Sequence, residues 1–216
     1  MFMFLMNIIF RNDLDKFIIV FLDDILIYSK LEEDHEEHLR IGCQVFRENQ
    51  IYAKQRKCSF YQRQIKYLGH IISEEGISVN PIKIEAIKEW PTLKNATEVS
   101  SFMGLADYYR IFIKEFSRIA HPIKALQKKG VKFEWTPKCG ENFQRLKEFL
   151  MRAPILKIVD PEKDYVVWTN ACKECIGGIL TQEGHVCYES KKLKEHERNY
   201  AMHDLELSAI VHALKM

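Results

Sequence analysis

The chain has no long apolar run, no glycine-rich phosphate loop, no heptad repeat and no Ser-His-Asp set. Those absences argue against a membrane-spanning helix, a nucleotide-cradling loop, a coiled coil and a hydrolase triad. A large charge of one sign is also missing: 32 Lys and Arg against 30 Asp and Glu leave +2. Any surface for a polyanion must therefore be a local patch. The six cysteines are scattered, which fits a reducing compartment better than a disulfide framework. Residues 1–10 are apolar, with no basic flank before them and no small-residue cleavage pattern after them, so they read as buried structure and not as a signal peptide. The expected location is intracellular, in cytoplasm or nucleus. What is present is an ordinary globular composition, 47% hydrophobic and 29% charged over 216 residues, enough for one large or two small cores.

The chain is organised around residues 17–30, Phe-Ile-Ile-Val-Phe-Leu-Asp-Asp-Ile-Leu-Ile-Tyr-Ser-Lys. Asp23 and Asp24 lie between two short runs rich in β-branched and aromatic residues, a pattern that reads as strand, tight turn, strand. The acids then occupy a hairpin tip. Because both flanks are nearly continuous apolar sequence, the sheet is expected to be covered at least partly on both faces. Two charges there are costly without compensation, and a divalent metal is the natural compensator.

Phe21-Leu22-Asp23-Asp24 resembles the aromatic-x-Asp-Asp box of reverse transcriptases, and Ile25-Leu26-Ile27-Tyr28-Ser29 resembles the form found in gypsy-type long-terminal-repeat retrotransposons. An isolated Asp-Asp pair is common. The resemblance gains specificity from an ordered series: His35 and His38-Leu39; Tyr52-Ala53-Lys54; Lys57-Cys58-Ser59-Phe60; Leu68-Gly69-His70; Gly76; Pro81 and Lys83; Trp90-Pro91; Ser101-Phe102-Met103-Gly104-Leu105; and Tyr108-Tyr109-Arg110. It implies an α+β fold: a palm hairpin and sheet, then a helical thumb, then a partial ribonuclease-H-like α/β unit. The implied division is residues 1–80 for the end of the palm, 81–132 for the thumb, 133–160 for a connection and 161–216 for the start of the nuclease-like unit.

Several local patterns stand beside that resemblance. Residues 32–49 suit an amphipathic helix with an acidic start. Within it His35-Glu36-Glu37-His38 spaces its histidines three apart, whereas the zinc-protease box needs four, so a solvated helix start is the simpler reading. Residues 49–73 contain no acid, while Lys54, Arg56, Lys57, Arg63 and Lys66 interleave with Tyr52, Phe60, Tyr61 and Tyr67. The pattern suits a strand-rich, phosphate-facing surface, or equally a sheet with a basic solvent side. The resemblance favours the first, since Leu68, Gly69 and His70 fall where the family holds the primer strand. Pro81 opens a helix that Pro91 ends. Asn95 and Glu98 form a capping pair, launching Val99, Phe102, Met103, Ala106, Tyr109, Ile113 and Phe116 at helical spacing as bundle core. Arg118, His121, Lys124, Lys128, Lys129 and Lys132 make either a second basic patch or a solvated helix end. A helix is expected over residues 137–151. Three strands follow, over 164–170, 175–182 and 185–190, and then a helix with Leu207, Ile210, Val211 and Leu214 on its buried face.

The resemblance implies two-metal nucleotidyl transfer on an RNA/DNA template-primer duplex, with deoxynucleoside triphosphates as substrates of the full-length enzyme. Mg2+ is the implied cofactor, with Mn2+ as a substitute, because carboxylates suit a hard octahedral ion. Asp23 is the expected ligand in both metal sites and Asp24 the more peripheral acid. The family's third carboxylate and nucleotide-gripping fingers belong to earlier sequence and would precede Met1, so the isolated chain is expected to bind metal weakly and not to polymerise. In the nuclease-like unit the family's Thr-Asp-Ala-Ser reads Thr169-Asn170-Ala171-Cys172, with an amide in place of a metal-bridging acid, whereas Glu206 matches the helical glutamate. Ribonuclease H activity is accordingly not expected. Asp164 reads as a capping or solvent residue, Cys172 and Cys175 as ordinary cysteines, and His196, His203 and His212 as helix-surface residues. The competing reading of the whole is a non-catalytic, element-derived chain that at most binds nucleic acid.

Overall fold

The computed structural model describes residues 2–128, 130, 132–160 and 162–215, with the backbone alone at Phe2, His185 and Val186. The chain divides into two compact units, Met1–Tyr61 and Gln62–Met216.

The first unit runs α1 (Phe2–Ile9), β1 (Ile18–Phe21), β2 (Asp24–Ile27) and α2 (Glu32–Glu48). The strands β1 and β2 form an antiparallel hairpin in the register Ile18–Ile27 to Phe21–Asp24. Its core gathers Met6, Phe10, Phe17 and Ile18, with Ile41, Val45 and Phe46 of α2 packed against them. Each such side chain contributes about 1.5–3 kcal/mol through removal from water. Two expectations change here. Residues 1–10 are only half buried: Met6 and Phe10 are enclosed, but Met3, Phe4, Leu5 and Ile8 are exposed, because a helix of this length turns only one stripe to the core. The hairpin, too, is covered only in part: Val20, Ile25 and Ile27 pack against the core, but the tip is open. Ile18 is buried, while Phe21, Leu22, Asp23 and Asp24 are exposed, so burial does not load the acid pair with a desolvation cost.

The second unit opens with a meander of β3 (Gln64–Tyr67), β4 (His70–Ser73) and β5 (Gly76–Val79). Residues 51–63 hold one 3-10 turn, Gln55–Lys57, and no strand, so the strand-rich expectation for 49–73 holds only from residue 64 onward. Gln50 and Tyr61 sit at φ of 54° and 53°, and such left-handed residues interrupt a pleat.

Four helices follow: α3 (Pro81–Lys88), α4 (Ala96–Tyr108), α5 (Phe116–Ala125) and α6 (Pro137–Met151). Their starts are encoded locally. The Asn80 side chain accepts from the Ile82 amide with Pro81 at the first position. Asn95 accepts from the Glu98 amide at 2.9 Å while the Glu98 carboxylate takes the Lys94 amide at 2.7 Å. Thr136 caps α6. The apolar stripe is buried as expected, from Val99, Phe102, Met103 and Ala106 through Tyr109 and Ile113 to Phe116. It is not one helix, however: a 3-10 turn, Arg110–Phe112, breaks it after Tyr108, and Glu115 starts α5 from a left-handed conformation. Phe143, Leu146 and Leu150 of α6 complete the same core.

After α6 the chain returns to β5, where Ile77 and Leu156 exchange both backbone hydrogen bonds at 2.8 Å. Gly76 permits that return, since a Cβ there would lie 2.1 Å from the Leu156 carbonyl oxygen and its φ is +134°. Last come β6 (Val166–Ala171), β7 (Cys175–Thr181) and β8 (His185–Lys192), an antiparallel meander, and α7 (Met202–Ala213), which lies across β6 and β7. The buried face of α7 is Leu205, Ala209 and Ala213, whereas Leu207, Ile210, Val211 and Leu214 are exposed. The expectation chose the bulky residues. The sheet instead takes the face with the two alanines, where Leu205 and Ala209 pack with Ile176 and Leu193. Among the described residues no helix is long and apolar enough to cross a membrane.

Candidate active site and nucleic-acid interface

The β1–β2 hairpin turns through Leu22 and Asp23. A two-residue hairpin loop needs positive φ, and Leu22 supplies it at +50°, a conformation that costs a branched residue about 1 kcal/mol or more. Asp23 therefore lies in the turn and Asp24 at the first rung, opposite Phe21. Neither carboxylate has a hydrogen bond or ion pair among the described residues, so four hard oxygen atoms face solvent at one tip. The root of the hairpin is held in detail. The Tyr28 amide donates to the Phe17 carbonyl at 2.9 Å, and the Tyr28 hydroxyl to the Asp15 carbonyl at 3.1 Å. The Ser29 hydroxyl lies 3.0 Å from His35 Nδ1 and 2.7 Å from His38 Nδ1. His38 stacks on Phe17 at 4.0 Å. The two histidines thus bind a hydroxyl, in keeping with the reading against a zinc box. No cluster of three or more His, Cys, Asp or Glu able to hold a metal occurs among the described residues.

The expected basic surface falls into two parts. Lys54, Arg56 and Lys57 are all exposed on and beside the 3-10 turn of the first unit. Arg63 and Lys66 are exposed in the second unit, where Arg63 lies 4.0 Å from Glu74. Two members of the second patch are engaged in ion pairs, Arg118 with Glu115 at 3.5 Å and Lys124 with Asp107 at 2.5 Å, while Lys128 and Lys132 are exposed. Burial, then Lys192, Lys128 and Arg198, push the His121 pKa down. Lys129 lies outside the described residues.

Leu68 and Gly69 form the β3–β4 turn, both at positive φ, +48° and +78°, as a type I′ hairpin turn requires. Its two carbonyls are held by consecutive tyrosines from the end of α4. The Tyr108 hydroxyl donates to Leu68, and the Tyr109 hydroxyl donates to Gly69 at 2.7 Å. His70 packs its ring among Tyr108, Tyr109 and Phe112 at 5.1, 5.2 and 5.7 Å. Burial lowers the His70 pKa, and its Nδ1 is buried without a hydrogen-bond partner among the described residues. Burial, and then Tyr108, push the Tyr109 hydroxyl up to about 12, so it stays a donor. Sequence reasoning had both tyrosines only as family motif and core. The available signal was the Tyr109 hydroxyl in an otherwise apolar stripe, because an enclosed Tyr hydroxyl needs a partner.

In the last sheet Asn170 and Glu206 are both exposed, on β6 and α7 respectively, and no hydrogen bond joins them among the described residues. Asp164 is exposed, as expected, as are His196 and His203. His212 is half-buried, unlike the other two: its Nε2 lies 3.4 Å from Glu189 of β8, which Arg110 also approaches at 3.7 Å.

Residues 1–72 match a family model for reverse transcriptase (RNA-dependent DNA polymerase), and residues 135–216 match one for the RNase H-like domain found in reverse transcriptase. The chain is 37% identical over 213 residues to the retrovirus-related Pol polyprotein from transposon 297 of Drosophila melanogaster, and 32% identical over 220 residues to the transposon Tf2-3 polyprotein of Schizosaccharomyces pombe. The chain belongs to the reverse transcriptases of gypsy-type retrotransposons. These alignments take in 97% and 99% of this reverse-transcriptase chain but only 20% and 16% of the two polyproteins. Its fold is that of the foamy viral protease-reverse transcriptase, solved in complex with double-stranded DNA (TM-score 0.85, 20% identity, 99% of this chain, 38% of that one) and with an RNA/DNA hybrid (0.83, 20%, 97% and 29%). The α+β reading and the order of hairpin, helical region and RNase H-like unit accord with these matches.

Proposed function

We propose that this chain carries the acid hairpin, primer-holding turn and thumb of an RNA-directed DNA polymerase, acting by two-metal nucleotidyl transfer on an RNA/DNA template-primer duplex. The observation that carries the reading is the unpartnered Asp23-Asp24 pair at the exposed tip of a firmly rooted hairpin. Those four carboxylate oxygens fit Mg2+, which takes one or two carboxylates and fills its shell with water and substrate phosphates. When bound, such ions activate the primer oxygen and stabilise the departing pyrophosphate. Asp23, in the turn itself, is assigned as the shared ligand and Asp24 as the peripheral acid. The strained Leu22 presents both carboxylates beyond the end of the strand pair, while Ser29, His35 and His38 fix the angle of the hairpin on α2.

The remaining residues position nucleic acid. Tyr108 and Tyr109 tie the Leu68–Gly69 turn to the end of α4, so the turn that faces the primer and the thumb helix behind it move together. Lys54, Arg56, Lys57 and Lys66 supply phosphate contacts, with Arg63 shared between phosphate and Glu74. Residues 1–80, 81–132, 133–160 and 161–216 correspond in this reading to palm end, thumb, connection and nuclease-like start.

Asn170 favours a second reading for the last unit: duplex binding without RNA cleavage, since an amide brings no charge to a metal-bridging position. The test of the main reading is primer extension on an RNA template with Mg2+, using the cellular polypeptide that carries this sequence. Extension lost in Asp23→Asn with duplex binding intact supports it. Equal extension by the two proteins refutes it.

A further inference from the structure

Cys172 and Cys175 face each other across the two-residue Lys173-Glu174 turn that joins β6 to β7. The ladder reaches Ala171–Ile176, and the Cys172 amide then donates to the Cys175 carbonyl at 2.9 Å, which sets the two cysteines on the next rung. Their sulfurs are 3.5 Å apart. Facing residues of an antiparallel ladder have the Cα spacing that a disulfide spans, about 4.5–5.5 Å. Closing the sulfurs to about 2 Å needs only side-chain rotation. No third His, Cys, Asp or Glu joins them among the described residues to make a metal cage.

The two thiols are chemically unequal. Cys172 is exposed and Cys175 half-buried. Burial raises the Cys172 pKa, but the backbone amides of Glu174 and Cys175 and the Cys175 thiol, all donating to its sulfur, bring the net shift below the ordinary value. Burial and then the neighbouring Cys172 push Cys175 up to about 11. An accessible sulfur stabilised as thiolate beside a protonated partner is the arrangement of an attacking and a resolving cysteine. The adjoining cleft opens both sulfurs to a small reagent and balances Lys114, Arg118 and Lys173 against Glu115, Glu174 and Glu189.

We propose that Cys172 and Cys175 form a dithiol/disulfide site that exchanges with low-molecular-weight disulfides of the glutathione type. The Cys172 thiolate attacks one sulfur of the reagent; its S–S bond breaks, one glutathione thiolate leaves, and Cys172 carries the mixed disulfide. Cys175 then gives up its proton to the released thiolate and attacks Cys172 Sγ, the mixed disulfide breaks, and the second glutathione leaves. Two electrons pass from the protein to one glutathione disulfide, giving one internal disulfide and two glutathiones after protonation. The site is independent of the polymerase reading.

The test treats the reduced full chain with oxidised glutathione, quenches in acid, alkylates under denaturing conditions and maps the peptides by mass. The expected product is lighter by two hydrogen atoms, joins Cys172 to Cys175 and has lost two of its six alkylatable thiols. Cys175→Ser should retain glutathione on Cys172. Cys172→Ser should add it at Cys175 on the order of tenfold more slowly. Six alkylatable thiols after treatment, a wild-type product with glutathione on both cysteines and no internal bond, or equal rates for the two variants would each overturn the proposal.

Discussion

In the reading proposed above, two parts of this chain hold carboxylate positions of metal-dependent nucleic-acid enzymes, and they differ in what surrounds them. At the β1–β2 tip both acids are present, exposed and unpartnered, on a hairpin whose root is fixed by Tyr28, Ser29 and two histidines. At β6 and α7 one position holds Asn170 and the other Glu206, and the sheet between them is an ordinary packed meander. The contrast separates fold from chemistry. The RNase H-like scaffold keeps its core of Ile176, Leu193, Leu205 and Ala209 with an amide at the acid position, because an exposed side chain at that position contributes almost nothing to packing. Retention of the fold is therefore no guide to retention of the reaction.

The sharpest way to break the contrast is at the acids themselves. Asp23→Asn in the polypeptide that carries this sequence should lower primer extension by about a thousandfold, the scale of losing one preorganised electrostatic partner, equivalent to about 4 kcal/mol of barrier. Asn170→Asp in the same polypeptide should raise cleavage of the RNA strand of a hybrid; an unchanged rate would place the defect elsewhere in the nuclease-like unit. Both substitutions exchange near-isosteric exposed groups, so thermal unfolding should move little for either.

The helical core offers a control of opposite kind, all stability and no chemistry. Phe102→Ala removes a ring that touches Trp90 and Phe143 at 5.6 and 4.7 Å, and should destabilise the chain by about 3–5 kcal/mol in denaturant unfolding. Neutralising Lys54, Arg56 and Lys57 together should weaken RNA/DNA duplex binding and reduce the slope of log affinity against log salt by roughly 2 to 3. Asp23→Asn should leave that slope unchanged. The smallest effect concerns Tyr109. Its folded pKa is raised, so its contribution is complete below the ordinary tyrosine value of 10.0 and is lost as pH rises toward about 12. Tyr109→Phe should remove that segment of alkaline destabilisation and cost about 1 kcal/mol at neutral pH through the orphaned Gly69 carbonyl.

Much of this architecture is legible along the chain because its signals are local. Pro81, Asn95 with Glu98, and Pro137 mark helix starts that fold as read, and the turn at Glu183-Gly184 joins β7 to β8. The acid hairpin is legible for the same reason. What was misread depended on partners distant in sequence. The face of α7 is set by Ile176 and Leu193, with which Leu205 and Ala209 pack, and not by the helix's own hydrophobicity. The tyrosines of α4 find their hydroxyl partners forty residues earlier. The burial expected of the hairpin came from its apolar composition, whereas exposure follows from where its tip lies beyond the core of the first unit. Arg118 and Lys124, open between a basic patch and a solvated helix end, pair with Glu115 and Asp107, which precede the acid-free stretch.

The pairing of Ile77 with Leu156 has a kinetic meaning. It stitches together the two ends of a 78-residue stretch that contains α3 to α6, and closing a loop of that length costs on the order of 4 kcal/mol of chain entropy in the flexible-chain limit. The two mutual hydrogen bonds cannot repay that alone, so the rung forms only with the helical core between its ends already assembled. The Ile77 and Leu156 amides are consequently reporters of the whole helical unit: in native-state hydrogen exchange they should open with the core of Phe102 and Phe143 as one cooperative block, not with the strand edge on which they lie.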